Sequence, residues 1–508
     1  MTALAMSLSP EPQPSLDDLA RELSAFGGRV IGDGSVRPAG VRQDSRAVEP
    51  GDLFCARAGL ALRGSDFAAD AVARGAVALL VGPGDEGLAL GVPLLVVSDA
   101  RRAIGWAAEL VYGQPSRALS LVGITGTNGK TTTAFLVEHA LLSLGRRPAR
   151  LGTLGFSFSG RSEPARLTTP EADDVSRALA GVVRSGGTDF VMEASSHALA
   201  LGRVDALAFE VAAFTNLTQD HLDFHDSMAE YGASKARLFA ELSPAASVLN
   251  VDDPFGAELA GRARGRVVRV GRSAGADLRA EDATLDASGI RARVRSRAGL
   301  VSLESRLLGE HNLENLLVAL GVLVALGHDV RAAARALGAA PQVPGRLERC
   351  DEDADDVRVL VDYAHTPDAL ARALDAARRV AEGEVVCVFG CGGDRDQQKR
   401  PLMGAAVARG AARAVITSDN PRSEDPAAIA RAIEAGFAEG GAPYTVELDR
   451  ARAIERAVLD AQSGDVVVVA GKGHEPCQIV GGERRPFDDR VEARRALAER
   501  RARRPRPA

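Results

Sequence analysis

Short apolar, β-rich runs alternate with Ala/Leu/Arg-rich helical stretches along nearly the whole chain: AVALLVG (76–82), LVGITG (121–126), DFVMEAS (189–195), SVLNV (247–251), VCVFG (386–390), AVITS (414–418) and DVVVVAG (465–471). Runs this continuously apolar have both faces covered, which is the pattern of parallel sheets flanked by helices. The expected fold class is therefore α/β. At 508 residues the chain exceeds what one core holds, and about three domains are predicted. Pro- and Gly-bearing breaks at YGQPSRAL (112–119) and GAAPQVPGRLE (338–348) interrupt the helical periodicity and divide it into 1–113, 114–342 and 343–508.

Composition then removes several classes of function. A hydrophobic share of 46%, a charged share of 26% and a net charge of -6 are those of a globular protein with no global attraction to nucleic acid or anionic membrane. No apolar run reaches the roughly 18 residues of a membrane span, and MTALAMSLSPEPQPSLDDLA lacks a basic start before an apolar core, so a cytoplasmic protein without membrane insertion is expected. The five cysteines are scattered without a C-x-x-C pair; Cys387 and Cys391 are expected as buried small side chains. The basic end RRALAERRARRPRPA is expected to be a solvated or frayed tail.

The stretch GITGTNGKTTTA (123–134) joins a strand, ALSLVGIT, to a helix, TTTAFLVEHALLSLG. It departs from the strict phosphate-loop rule G-x-x-x-x-G-K-[ST], because Ile124 stands six places before Lys130 and Gly123 is one place too far out. The context still suits an anion. Gly126 and Gly129 let the backbone approach closely, the helix N-terminus offers unpaired N–H groups, Lys130 can reach outer phosphates, and the Thr131 or Thr132 hydroxyl can face Mg²⁺. A ligand-free glycine turn is the alternative. Guanine recognition is not indicated, since no N-K-x-D run exists, and the strand DFVME ends at Glu193 where a Walker B strand commonly ends in Asp.

Acids and histidines crowd the next strand ends, in MEASSHAL (192–199) and FTNLTQDHLDFH (214–225). Glu193 stands where a metal-facing acid belongs opposite Thr131, while His197 and His225 read equally well as structural residues. Lys235, in YGASKARLF, reads on its own as a solvent-facing charge.

These runs, together with LGEHNLENLLVAL (308–320), VPGRLE (343–348), VDYAHTPDAL (361–370), FGCGGDRDQQKRPLMG (389–404), DNPRSEDP (419–426) and GKGHE (471–475), resemble the Mur ligase family in family order from about Asp44 to Glu475. The closest resemblance is to the branch that adds meso-diaminopimelate. The departure in the phosphate loop matches the family's own variant.

The resemblance implies an N-terminal domain for a uridine nucleotide, a central P-loop ATPase-like parallel sheet and a C-terminal Rossmann-like domain. It implies UDP-MurNAc-L-Ala-D-Glu, meso-diaminopimelate and ATP as partners, Mg²⁺ as cofactor, an acyl-phosphate intermediate in cytoplasmic peptidoglycan precursor synthesis, and a monomer. Carried over residue by residue, ATP falls to Gly126, Thr127, Asn128, Gly129, Lys130, Thr131, Thr132, Asn312, Asn315, Arg346, Asp362 and His365. Catalysis falls to Lys130, Glu193, His221 and Lys235, and the metal to Thr131, Glu193, His221 and a carbamylated Lys235. The uridine substrate falls to Ser45, Thr168, Thr169, Ser195 and Arg203. Diaminopimelate falls to Arg395, Asp419, Asn420, Pro421, Arg422, Gly471 and Glu475. The Arg422 fork suits the distal carboxylate that L-lysine lacks, and Asp419 with Asn420 can take the ammonium.

Several readings stay open. Asp362 and His365 could instead cap a helix beginning near Pro367, and Asn312 and Asn315 could be helix-cap or turn residues. The whole chain could be a lysine-adding relative, or a catalytically silent nucleotide-binding protein that organises wall-synthesis partners.

Overall fold

The computed structural model describes residues 13–57, 59, 63–438 and 441–503. Every apolar run named above overlaps a strand. Three larger sheets carry the architecture. In the first, of five strands, β1 (Gly40–Arg42) pairs in parallel with Asp52–Ala56, and helix α1 (Ala100–Val111) buries Ile104, Ala107 and Val111 against Val41, Leu53, Leu80 and Leu95.

The second sheet has eleven strands. At its centre β2 (Ser120–Thr125) runs parallel to β3 (Asp189–Glu193) on one side and to β4 (Val211–Phe214) on the other. Helices α2 (Lys130–Ser143), α3 (Ala172–Arg184), α4 (Met228–Ala240) and α5 (Glu310–Ala325) cover it. Leu136 and Leu141 of α2 join Leu316, Leu320 and Leu323 of α5 over Val122 and Ile124. On the opposite face Val175 and Leu179 of α3 and Phe239 of α4 join Leu121, Phe190 and Phe214. Alternate residues of each central strand thus enter opposite cores, and this two-sided burial is why the strands read as unbroken apolar runs.

The expectation of a parallel central sheet needs correcting at its edges. Gly155–Phe158 and Arg161–Glu163 extend one edge as an antiparallel hairpin, and Gly289–Ser296 pairs antiparallel with both Leu278–Asp286 and Gly299–Ser305 at the other. Gly289–Ser296 alternates buried Ile290, Ala292 and Val294 with arginines, the period-two signature of a one-sided strand.

In the third sheet β5 (Arg358–Asp362), β6 (Val385–Phe389), β7 (Arg413–Ile416) and β8 (Val466–Ala470) are parallel in the spatial order β5-β8-β6-β7. Helices α6 (Pro367–Val380) and α7 (Arg450–Asp460) pack on it. The loops that follow β7 and β8 leave from strand carboxyl ends, where open α/β sheets place their ligands.

The basic end is not a frayed tail over most of its length. Helix α8 (Asp489–Arg503) buries Ala493, Ala496 and Leu497, and Arg500 and Arg494 reach Asp356 at 2.8 Å and Glu348 at 3.0 Å. Residues 504–508 and 1–12 lie outside the described residues. All five cysteines are free, and Cys387 and Cys391 are buried.

Candidate active site

The turn between β2 and α2 is built so that only glycine serves at its first position. Gly126 has φ +146°, and a Cβ there would stand 1.9 Å from Thr215 Oγ1. Thr215 Oγ1 donates to Asn128 O at 2.6 Å, while Asn128 N donates to Asn216 Oδ1 at 2.9 Å, fixing the loop from β4. Helix α2 has no side-chain cap, so its first N–H groups keep their capacity for an anion.

Three basic side chains converge above this turn. Lys130 Nζ donates to Gly126 O and Thr127 O, both at 2.8 Å. Lys235, on α4 and only 1% exposed, donates to Gly126 O at 2.9 Å and stands 4.2 Å over the Tyr231 ring. Arg346 Nη2 donates to Thr131 Oγ1 at 3.1 Å, its guanidinium 4.4 Å over Tyr363. Among the described residues, none of the three has a carboxylate within 4 Å. Burial holds Lys130 below the usual lysine range against the pull of Glu193. Burial, and then the Lys130 charge, hold Lys235 well below it.

Glu193, at the end of β3, accepts from Thr131 Oγ1 at 3.1 Å and from Thr153 N at 2.7 Å. These groups share one cavity of about 220 Å³ with Thr127, Asn128, Gly129, Thr132, Thr168, Ser195, His221, Asn312, Asn315, Asp362 and His365. The cavity draws on both the second and the third sheet's surroundings, so no single domain makes it.

Local bonding settles several open readings. Thr366 caps α6 by accepting from Ala369 N at 3.2 Å, so neither Asp362 nor His365 is its cap. Asp362 instead accepts from Leu347 N at 2.6 Å and Ala364 N at 2.8 Å. Asn312 and Asn315 lie within α5, whose cap position is Gly309, and bond each other at 3.0 Å, while Asn312 Nδ2 also donates to Leu308 O at 2.8 Å just before the helix, so the turn reading holds for Asn312. His221 adopts φ +56°, and burial lowers it to about 4 despite the neighbouring Asp220. His197 stacks on Phe224 at 4.1 Å and His225 is fully buried, both in one aromatic cluster. Among the described residues no three His, Cys, Asp or Glu side chains gather as an all-protein metal cage.

The residues expected to hold the uridine substrate are spread more widely. Thr169 Oγ1 donates to Glu193 O at 2.7 Å and shares a hydroxyl–hydroxyl hydrogen bond with Ser195 Oγ at 3.2 Å, beside the main cavity. Arg203 pairs with Glu171 at 2.6 Å and lines a second cavity of about 280 Å³ with Gln43, Arg57 and Phe224. Ser45 lines neither; it is buried in the turn after β1 that Asp44 caps.

Beyond β7 and β8 a third group assembles. Arg422, at φ +53°, is held by its backbone to Ile479 and Gly481, and its Nη1 donates to Gly393 O at 2.7 Å. No carboxylate lies within 4 Å of its guanidinium among the described residues. Gly471 has φ +119°, and a Cβ there would meet Asp419 Oδ2 at 2.4 Å, so the two loops touch only because this position is glycine. Arg395 is exposed and bonds its neighbour's carbonyl, Asp394 O, at 3.0 Å.

One expectation here is corrected. Asn420 Oδ1 accepts from Lys472 Nζ and from Ile479 N, each at 2.9 Å, so its acceptor is filled and it cannot take an ammonium. Its Nδ2 donates to Glu475 Oε2 at 2.8 Å. His474, next to Glu475, contacts Thr153 O at 3.2 Å, and Thr153 is the partner of Glu193; the two sites are therefore mechanically joined.

Comparison with known proteins places this geometry. Family models described as Mur ligase family, catalytic domain, Mur ligase middle domain, and Mur ligase, glutamate ligase domain match residues 38–112, 124–323 and 345–473. A curated relative from Gloeobacter violaceus, named UDP-N-acetylmuramoyl-L-alanyl-D-glutamate--2,6-diaminopimelate ligase, is 47% identical over 92% of this chain and 95% of its own. The chain belongs to the Mur ligase family.

A Streptomyces coelicolor relative of the same name is 45% identical over 95% of this chain and 96% of its own. A solved ligase structure of that name is 35% identical, with a TM-score of 0.67, over 93% of this chain and 97% of its own. A Thermotoga maritima MurF structure in complex with ADP, at 18% identity and a TM-score of 0.62, shares the fold.

In this Mur ligase the sequence reading passed over Asp220, His311, Tyr363 and Arg372, which line the main cavity, and Lys472 and His474 in the loop after β8. Asp220 sits inside the NLTQD run and Lys472 inside GKGHE, so both lay within quoted motifs. Nothing in spacing alone separates them from surface charges.

Proposed function

We propose that this chain is an ATP-dependent, ADP-forming ligase that joins meso-diaminopimelate to UDP-MurNAc-L-Ala-D-Glu in peptidoglycan precursor synthesis. The observation that carries the reading is the convergence of Lys130 and Arg346 on one cavity with no carboxylate within 4 Å among the described residues, beside an uncapped helix N-terminus. Such a site is a receptor for polyphosphate. Identity of 43–47% to curated relatives named for this reaction supports the choice of substrates.

In this reading residues 1–113 hold the uridine nucleotide, 114–342 hold ATP and 343–508 hold the amino acid. The D-glutamyl carboxylate attacks the terminal phosphorus of ATP, ADP leaves, and an acyl phosphate forms. The free amine of diaminopimelate then attacks the acyl carbon, loses a proton, and phosphate leaves. Phosphoryl transfer asks chiefly for positioning and charge neutralisation, which Lys130 and Arg346 supply.

Mg²⁺ fits the donor set. It takes hard oxygens from one or two carboxylates with phosphates and water completing the shell, so a three-ligand protein cage is not required. Thr131, Glu193 and His221, kept neutral by burial, would hold it, and it would offset phosphate charge. Lys235 supports a fourth ligand. Held well below the usual lysine range, its neutral amine can add to CO₂, forming an N–C bond and releasing a proton to give a carbamate. We assign the enzyme to the cytoplasm, where ATP is supplied, as a monomer. No helix among the described residues is long and apolar enough to cross a membrane.

The test is phosphate release from ATP with UDP-MurNAc-L-Ala-D-Glu present and either meso-diaminopimelate or L-lysine as acceptor. Turnover with meso-diaminopimelate and little with L-lysine is expected. Equal turnover with both, or none with either, would remove the assignment.

A further inference from the structure

The geometry points to Lys472 as a positioning residue that fixes which way the Asn420 carboxamide and the Glu475 carboxylate face, and so sets the charge pattern the incoming amino acid meets. This rests on the reading of the reaction given above.

Lys472 is fully buried, 0% exposed, directly after Gly471 in the loop leaving β8. Its Nζ donates to Asn420 Oδ1 and to Glu475 Oε2, each at 2.9 Å. Asn420 Nδ2 closes the triangle on the same Glu475 oxygen at 2.8 Å. The alternative amide orientation is chemically closed. Turning Asn420 over would set its NH₂ against an ammonium and the Ile479 N–H, three donors facing one another with no acceptor.

The consequence is a division of labour. With both lone pairs of Oδ1 filled, the second N–H of Nδ2 is the only hydrogen-bonding capacity Asn420 retains for a ligand, and that suits an anion. Glu475 keeps a second oxygen, and Asp419 stands against Gly471 in the same loop pair, so the acceptors for an ammonium are these two acids. Arg422 adds a guanidinium with no acid partner among the described residues. The pocket thereby presents N–H and guanidinium for the distal carboxylate and carboxylates for the distal ammonium. Without Lys472 the carboxamide is free to rotate and Glu475 loses its tether.

The experiment compares wild type, Lys472→Met and Asn420→Asp in phosphate release, varying each substrate in turn. Tm with and without ADP reports whether each variant is folded. For Lys472→Met, KM for meso-diaminopimelate should rise at least tenfold with KM for ATP unchanged. A change in KM for ATP as large as that for meso-diaminopimelate, or an unchanged meso-diaminopimelate KM, overturns the proposal.

Should Lys472→Met lose the ADP-induced Tm shift, Asn420→Asp decides the matter. That variant keeps an acid partner for Lys472 but removes the N–H, so preference for meso-diaminopimelate over L-lysine should fall at least tenfold. Retained preference overturns the proposal. A wild-type protein that turns over neither acceptor defeats the underlying reading of the reaction instead, and takes this inference with it.

Discussion

The cavity above the phosphate loop and the floor beneath the amino-acid pocket both bury positive charge, but they treat it in opposite ways. Among the described residues Lys130 and Arg346 bond carbonyls and a hydroxyl, with no carboxylate within 4 Å, and Arg346 lies over the Tyr363 ring. Lys472 and Arg450 are more deeply buried, and each is matched by an acid, Glu475 at 2.9 Å and Asp489 at 2.7 Å. A buried cation without a counter-ion costs stability, and a paired one removed from its partner leaves an acid stranded. The first arrangement is therefore open to a ligand's negative charge, and the second holds loops in place.

The largest effect should come from the unmatched set. Lys130→Met is expected to lower kcat/KM for ATP by about a thousandfold or more, in keeping with the loss of a cation that stabilises transferring phosphate. Tm should hold or rise, because an uncompensated charge has gone. Steady-state phosphate release and a thermal melt read the two halves. A drop in Tm with activity retained would reverse the comparison. For Lys235, ¹³C-bicarbonate labelling should give a carbamate resonance that Lys235→Ala lacks.

The matched set should behave in the reverse sense. Arg450 donates to Asp489 through two nitrogens at 2.7 Å and to Ala470 O at 2.9 Å, with both side chains at 0% exposure. Arg450→Met strands Asp489, and breaking such a pair costs about 3–5 kcal/mol. The urea midpoint of the transition reporting the C-terminal sheet should fall accordingly, while ADP binding persists. Little change in that midpoint would mean the pair is not what ties α7 to α8.

How much of this contrast was legible in the sequence depends on how local each feature is. The phosphate loop was legible because strand, glycine turn, Lys130 and helix are contiguous, and apolar runs announce buried parallel strands directly. Glu193 opposite Thr131 followed from strand adjacency and is seen at 3.1 Å. Lys235 and Lys472 were not legible from residues alone, since a lysine is ordinarily solvated and pairing is decided by chain far away; Asn420 lies 52 residues from Lys472. The antiparallel edge hairpins and docked helix α8 were missed for a related reason. Their arginines read as solvated charge, although Arg500 and Arg501 reach back to Asp356 and Asp355.

Arg422 sharpens the comparison, because it lies in the amino-acid pocket but belongs with the unmatched cations. It has carbonyls from Gly393 and Asn420 and no carboxylate within 4 Å among the described residues. Arg422→Ala should reduce the preference for meso-diaminopimelate over L-lysine by about a hundredfold, below the ceiling set by a fully buried polar mismatch because the side chain is only half-buried. The ratio of kcat/KM values for the two acceptors measures it. An unchanged ratio would move recognition of the distal carboxylate elsewhere in the pocket.

The smallest expected effect concerns the contact that joins the two regions. His474 is lowered to about 4, first by burial and then by the Arg346 charge, while Thr153 O accepts at 3.2 Å from the ring. Its folded-state value lies below its unfolded value near 6.5, so the unfolded chain binds the extra proton first. The stability it contributes is complete above about pH 6.5 and is lost as pH falls toward 4, at up to about 1.4 kcal/mol per pH unit. His474→Asn should flatten that part of the stability profile between pH 6.5 and 5 relative to wild type. Measured by urea unfolding, an unchanged slope would show that the His474 ring exchanges protons freely in the folded state, and that the join between nucleotide cavity and amino-acid loop is looser than its burial implies.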